Sequence, residues 1–284
     1  LDQDGFAEVI TSAASNSLAR NVLDNGGSGD GPPGDFRDNS GETWIVWGRA
    51  NFPRYLDLND PALGSTVVYG RETFGRYGEE LGTGDVDGDG AIDLLIGALT
   101  APGPPWDYRK DGGAGVILYH MGTLRNRVID LLHLTPDVAT TWIYGKARSL
   151  ITDSFPTGDV DGDGFTDMLV GAPRDNGPLN RKAGTLAVVY GSPTLPAVID
   201  FANPPPQEEV RISLLDGKDA NDLVAYWASA ADVNGDGKSD VIVNAMNGDG
   251  PRNGRVMAGE VYVVDGAWLS GTPDQPENLA VVAS

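Results

Sequence analysis

The sequence predicts an all-β fold of tandem four-stranded antiparallel units, the pattern of a β-propeller, on three observations. An Asp-x-Asp/Asn-x-Asp-Gly motif recurs about every 74 residues, at Asp85, Asp159 and Asp232. Each interval holds four short β-rich runs. Gly (39) and Pro (19) are abundant, which favours short strands and tight turns over long helices.

The four runs follow in order. The first enters the acidic motif: Tyr77 to Leu81, Leu150 to Phe155 and Leu223 to Ala228. The second leaves it as an apolar run: Leu94 to Ile96, Met168 to Val170 and Val241 to Val243. A Gly/Pro-rich insert leads to the third: Trp44 to Trp47, Val116 to Tyr119, Leu186 to Tyr190 and Val261 to Val264. A fourth closes most units, at 66–70, 141–145 and 211–215. Solenoid coils are shorter, about 20 to 30 residues, and separate sandwiches would need linkers that the sequence lacks. The expected units are 1–70, 71–145, 146–217 and 218–284. The chain opens inside a motif, so the expectation is at least four blades belonging to a larger propeller, with any export signal removed or upstream of Leu1.

Composition narrows the partners. A formal charge of −21, from 41 acids against 20 bases, repels nucleic acid and anionic membranes. The absence of cysteine excludes disulfides and thiolate metal sites. No run of about 18 apolar residues is present to cross a bilayer.

The chemistry lies in the acidic motif. Carboxylates at positions 1, 3 and 5 of a tight loop converge, the glycine at 6 permits the turn, position 7 offers its carbonyl, and an acid at 9 closes a shell of hard oxygens suited to Ca2+. The second unit supplies Asp85, Asp87, Asp89, the Ala91 carbonyl and Asp93. The third supplies Asp159, Asp161, Asp163, the Phe165 carbonyl and Asp167. The fourth supplies Asp232, Asn234, Asp236, the Lys238 carbonyl and Asp240. A partial first copy has Asp2, Asp4, the Phe6 carbonyl and Glu8. An EF-hand would need a Glu at position 12, where this chain has Ile96, Val170 or Val243 inside a β-run. A metal-free Asp/Gly turn is the competing reading. Repetition weighs against it, since three or four clustered carboxylates repel one another without a cation.

The segments Thr73-Phe74-Gly75, Gly84-Asp85-Val86-Asp87-Gly88-Asp89-Gly90 and Leu169-Val170-Gly171-Ala172-Pro173 resemble the FG-GAP repeats of the integrin α-subunit head. The resemblance implies a propeller, usually of seven blades, with Ca2+ loops between the first two strands on one face and ligands bound on the other. The inserts 24–42, 100–115, 174–184 and 247–259 would gather on that opposite face. Trp106, Tyr108 and Arg109 are the candidate partner contacts there, as exposed aromatic and cationic side chains.

Catalytic motifs are few. His120 and His133 are the only histidines, and neither His-Glu-x-x-His nor Gly-x-Ser-x-Gly occurs. His120 reads as a strand-end residue, and no catalytic residue is assigned. The function expected is a calcium-stabilised, non-catalytic adhesion or structural module at the cell surface or secreted. It would bind protein or glycan and assemble with further blades or subunits. The alternative is a polysaccharide lyase or hydrolase built on a propeller scaffold, with two of the many carboxylates brought together across the ring as its acid and base.

Overall fold

Apolar runs that do not alternate need cover on both faces of a sheet. The computed structural model shows how they obtain it, and it describes residues 1–14, 31–32, 34–58, 60–176, 182–271 and 277–278. The first sheet holds β1 (Val9–Ala13), β2 (Glu42–Val46) and β3 (Ser65–Tyr69). The second holds β4 (Tyr77–Gly84), β5 (Asp93–Ala98), β6 (Ala114–Leu118) and, after the excursion of β7 (Val128–Asp130), β8 (Thr140–Tyr144). The third is built from β9 (Thr157–Gly158), β10 (Asp167–Ala172), β11 (Thr185–Val189) and, after β12 (Val198–Asp200), β13 (Ile212–Asp216). The last contains β14 (Val224–Ala231), β15 (Asp240–Ala245) and β16 (Glu260–Val264). Successive strands within each unit pair antiparallel, the blade pattern of a β-propeller.

The core lies between blades. Leu94 and Ile96 of β5 turn toward the first blade, into a cluster with Ile45, Val68 and Val116. Leu95, one position along and so on the opposite pleat, meets Met168 and Val170 of the third blade. Leu169 and Leu186 in turn pack on Val241 and Val243. Every residue of β5, β6, β10 and β11 is buried. In β16, by contrast, Val261 and Val263 are exposed on the face away from the third blade.

Two features depart from the sequence expectation. The run Leu150 to Phe155 is not a regular strand, because Leu150 and Thr152 hold positive φ and Pro156 has no amide to give a ladder. It still lies beside β10, through Gly171 N to Ser154 O (2.8 Å) and Leu169 N to Pro156 O (2.9 Å). The second departure is that blades are completed from outside. Val128-Ile129-Asp130 leaves the second unit and adds to β3 in parallel, and Val198-Ile199-Asp200 leaves the third and adds to β8. The two-residue β17 (Glu277–Asn278) joins β13 in the same sense.

Candidate metal loops and insert face

The acidic loops leading into β1, β5, β10 and β15 share one conformation. Glycine at position 6 has φ of +91°, +88°, +93° and +91° in Gly5, Gly90, Gly164 and Gly237, a region closed to side-chain-bearing residues except at a cost. The position 1 acid then accepts the amide of that glycine: Gly90 N to Asp85 at 2.9 Å, Gly164 N to Asp159 at 3.1 Å and Gly237 N to Asp232 at 2.9 Å. Position 5 accepts from position 7, at 2.9 Å for Phe6 N to Asp4, 2.7 Å for Ala91 N to Asp89, 2.9 Å for Phe165 N to Asp163 and 2.9 Å for Lys238 N to Asp236. These bonds curl the backbone; both oxygens of Asp159 and Asp232 accept loop amides, whereas Asp85 accepts on Oδ2 alone.

The position 9 acids are the anchors. Asp93, Asp167 and Asp240 are buried, each accepting the amide of position 2 (Val86, Val160 or Val233) and a second amide from beyond the third strand (His120, Gly191 or Gly266). Burial pushes the Asp93 carboxyl up to about 6 and Asp167 up to about 7, with neighbouring loop carboxylates adding to it. Carboxylate oxygens of Asp85, Asp87 and Asp93 lie within 4.8 Å of one another, as do those of Asp159, Asp161 and Asp167, and those of Asp2, Asp4 and Glu8. Asp85 Oδ1 and Glu8 Oε1 are buried without any hydrogen-bond partner. Orphaned anionic oxygens in an all-oxygen shell fit a hard cation. In the fourth loop Asn234 gives its amide to Asp236 at 3.3 Å and to Asp240 at 3.5 Å.

Basic groups stand beside three of the loops. Arg125 pairs with Asp2 and lies 3.7 Å from Asp4, and Arg211 reaches Asp161 at 2.6 Å. His120 Nε2 lies 2.8 Å from Asp89 and 3.6 Å from Asp87. Register aligns His120 with Gly191 and Gly266 of the next two blades, so only the second loop gains an imidazole. Read as a strand end, it is in fact part of the loop's surroundings. Loops of adjacent blades also touch, through Thr166 N to Asp85 O (2.8 Å) and Ser239 N to Asp159 O (2.7 Å).

On the opposite face, the expected partner residues separate. Trp106 (68% exposed) and Tyr108 (77% exposed) face solvent. Arg109 is a correction: it is 5% exposed, donating to both Asp200 oxygens (2.5 and 2.8 Å), to Asp107 (2.8 Å) and to Gly145 O (3.0 Å). Its long side chain turns inward because the third unit places a carboxylate there. Arg37 repeats the arrangement in the first insert, reaching Asp130 (2.7 Å) and Gly70 O (2.7 Å). Both arginines follow an Asp-aromatic pair, Asp35-Phe36 and Asp107-Tyr108, and Phe36 is exposed as Tyr108 is. The recurrence of Asp-aromatic-Arg, and of Val-Ile-Asp at 128 and 198, is the signal in the sequence that could have revealed this clasp. Much of the first insert and residues 177–181 of the third, including Arg181, lie outside the described residues.

Fold and site together define a tandem-repeat β-propeller with an acidic loop on every blade. The FG-GAP repeat family model matches residues 152–189 and 224–264, so the chain carries FG-GAP repeats in its third and fourth units. Among curated proteins it is 35% identical to integrin alpha-PS2 of Drosophila melanogaster over 130 residues, 45% of this chain and 9% of that protein. It is 26% identical to integrin alpha-5 of Xenopus laevis over 235 residues, covering 76% and 19%. It is 28% identical to phosphatidylinositol-glycan-specific phospholipase D of Mus musculus over 187 residues, covering 65% and 20%. The chain thus spans a fifth or less of these relatives. Among the described residues no helix is long and apolar enough to cross a membrane.

Proposed function

We propose that the chain is a calcium-stabilised, non-catalytic ligand-binding propeller module that works outside the cell, in adhesion or as a structural element. The observation that carries this reading is the orphaned, buried Asp85 Oδ1 within a three-carboxylate cluster that recurs from blade to blade. Asp85, Asp87, Asp89, Asp93 and the Ala91 carbonyl would hold one ion. Asp159, Asp161, Asp163, Asp167 and the Phe165 carbonyl would hold a second, and Asp232, Asn234, Asp236, Asp240 and the Lys238 carbonyl a third. Asp2, Asp4, Glu8 and the Phe6 carbonyl make a partial fourth. The bound ion supplies charge neutralisation and cross-linking of the loop, with no reaction step. Extracellular calcium, near millimolar, fills sites of modest affinity that cytosolic calcium leaves empty, and this supports the proposed location.

The four units proposed above act as one domain under this reading. The partner, a protein or glycan, docks on the insert face, where Phe36, Trp106 and Tyr108 stand exposed and Arg37 and Arg109 position them. Calorimetric titration of calcium-free protein tests the metal assignment: at least three ions per chain are expected, and no uptake at millimolar calcium would refute it.

A second reading, as the propeller part of a larger enzyme, is supported by the likeness to the phospholipase D, with polysaccharide cleavage as the activity expected from the sequence. Incubation with acidic and neutral polysaccharides and with a glycosylphosphatidylinositol, watched for new chain ends or released headgroup, separates the two.

A further inference from the structure

The junctions between blades differ in how they are filled. Between the first and second blades, Tyr77, Trp142 and Tyr144 close the space. Trp142 stacks on Tyr144 with centroids 6.0 Å apart, Tyr77 meets Trp142 edge-on at 6.4 Å, and Arg71 lies 4.8 Å over the Trp142 ring. Strand register and repeat position align these with smaller residues at the next junction. Val116 opposes Trp142 as Ala187 opposes Leu214, and Ala114 opposes Tyr144 as Thr185 opposes Asp216. Tyr77 corresponds to Ile151, since Tyr77 N bonds Ser40 O and Ile151 N bonds Gly112 O at the same bend. Arg71 corresponds to Lys146, each following the glycine that ends the fourth strand.

Three aromatic side chains, Trp142, Tyr144 and Tyr77, are therefore replaced by Leu214, Asp216 and Ile151, which line a cavity of about 680 Å³. Its walls are apolar, including Val170, Ala187, Phe201 and Leu214. Its polar end contains Lys146, Asp175 and Asp216. Lys146 is already paired with Asp175 at 2.6 Å. Asp216 is 6% exposed, and its Oδ1 accepts from Thr185 Oγ1 at 2.6 Å. Its Oδ2 has no partner. Burial raises the Asp216 pKa, against the Thr185 hydrogen bond, with Asp175 adding to it and Lys146 opposing it. An unpaired carboxylate at the end of an apolar chamber of ligand size leaves one donor unsupplied.

We infer that the cavity between the second and third blades binds a small amphiphilic amine, its apolar body among Val170, Ala187, Phe201 and Leu214 and its ammonium on Asp216 Oδ2. The site is separate from the metal loops and from the insert aromatics. The equivalent space at the preceding junction is self-filled by Tyr77, Trp142 and Tyr144.

The probe set is 3,3-diphenylpropylamine with its matched alcohol and carboxylic acid, titrated calorimetrically at pH 7 in calcium-saturated buffer. The amine should bind at least tenfold more tightly than the alcohol, and the acid most weakly. Asp216→Asn keeps the Thr185 hydrogen bond and should bring the amine down to the alcohol's affinity. Leu214→Trp refills the chamber as Trp142 does and should weaken all three ligands at least tenfold. Should it misfold by circular dichroism, the smaller filler Ala187→Leu takes its place with the same expectation. The inference is overturned by absence of binding at millimolar probe, by an amine affinity unchanged in Asp216→Asn, or by undiminished binding in a folded cavity-filled variant.

Discussion

Arg109 of the second blade's insert holds both carboxylate oxygens of Asp200, a residue contributed by the third unit, and one blade earlier Arg37 reaches one oxygen of Asp130 in the same way. A bidentate guanidinium–carboxylate contact fixes orientation as well as distance. It therefore ties the insert, the edge strand and the neighbouring unit at one point.

Breaking that pair should cost far more than its position on an insert suggests. Removing one partner of a buried ion pair leaves the other uncompensated, so Arg109→Ala should lower unfolding free energy by about 3 kcal/mol. Tyr108→Ala, one residue away and exposed, should change it by less than about 0.5 kcal/mol. Equal urea midpoints for the two variants would place Arg109 outside the fold's supports. Arg37→Ala should behave as Arg109→Ala does.

Calcium removal should lower the melting temperature. A ligand bound only to the folded state adds about 2.7 kcal/mol per site at a hundredfold excess over Kd. Because Ser239 N reaches across to Asp159 O, Asp161→Ala should also loosen the fourth loop, seen as loss of more than one ion by calorimetry. An unchanged melting curve in excess EDTA would mean that the loops are ordinary turns.

The inner strands predict a pH dependence. Burial, then Asp153 and Glu79, push the Glu80 carboxyl up to about 7. Asp153 is raised to about 6 by burial and Glu79, against Arg174 and Arg76. Folded-state values above the unfolded ones mean that the native protein binds the extra protons. Their contribution is thus fully present below about pH 4 and is lost as pH rises to about 7. Half-exposure and solvent screening hold the Glu80 effect to about 1 kcal/mol. Glu80→Gln should be more stable than wild type at pH 7.5 and equal to it at pH 4.5, by urea denaturation in saturating calcium. Parallel pH profiles would rule out this role for Glu80.

The partner face can be separated from the metal face. Screening on arrays of extracellular proteins and glycans, Phe36→Ala/Trp106→Ala/Tyr108→Ala should lose the wild-type hits while keeping its calcium uptake. Trp106 packs edge-on against Tyr144 at 6.0 Å, so a melting shift of no more than a few degrees is expected. Asp161→Ala should retain the hits while folded. The reverse pattern would mean that calcium itself bridges the ligand.

What the sequence revealed depended on how much each residue is constrained locally. The β5 and β10 runs were legible because strands covered on both faces are continuously apolar, and the loops because position 6 demands glycine and the ligands recur at fixed spacing. The added strands β7 and β12 were not, since three residues carry no periodicity and their partners lie in another unit. Arg109 looked exposed for the same reason: its carboxylate stands 91 residues away. The cavity follows from Leu214 and Asp216 standing where Trp142 and Tyr144 do, a contrast visible only once strand register is known.

The parallel strands borrowed by β3 and β8 bear on how such a chain is made. During vectorial synthesis the first sheet cannot gain its outer strand until Val128-Ile129-Asp130 has left the ribosome, well after the rest of that unit has emerged. Each nascent blade therefore waits with an open edge for its successor. Truncations cut at the repeat boundaries, at 70, 145 or 217, would leave that edge permanently bare, whereas cuts staggered to just beyond Asp130 or Asp200 retain the closing strand.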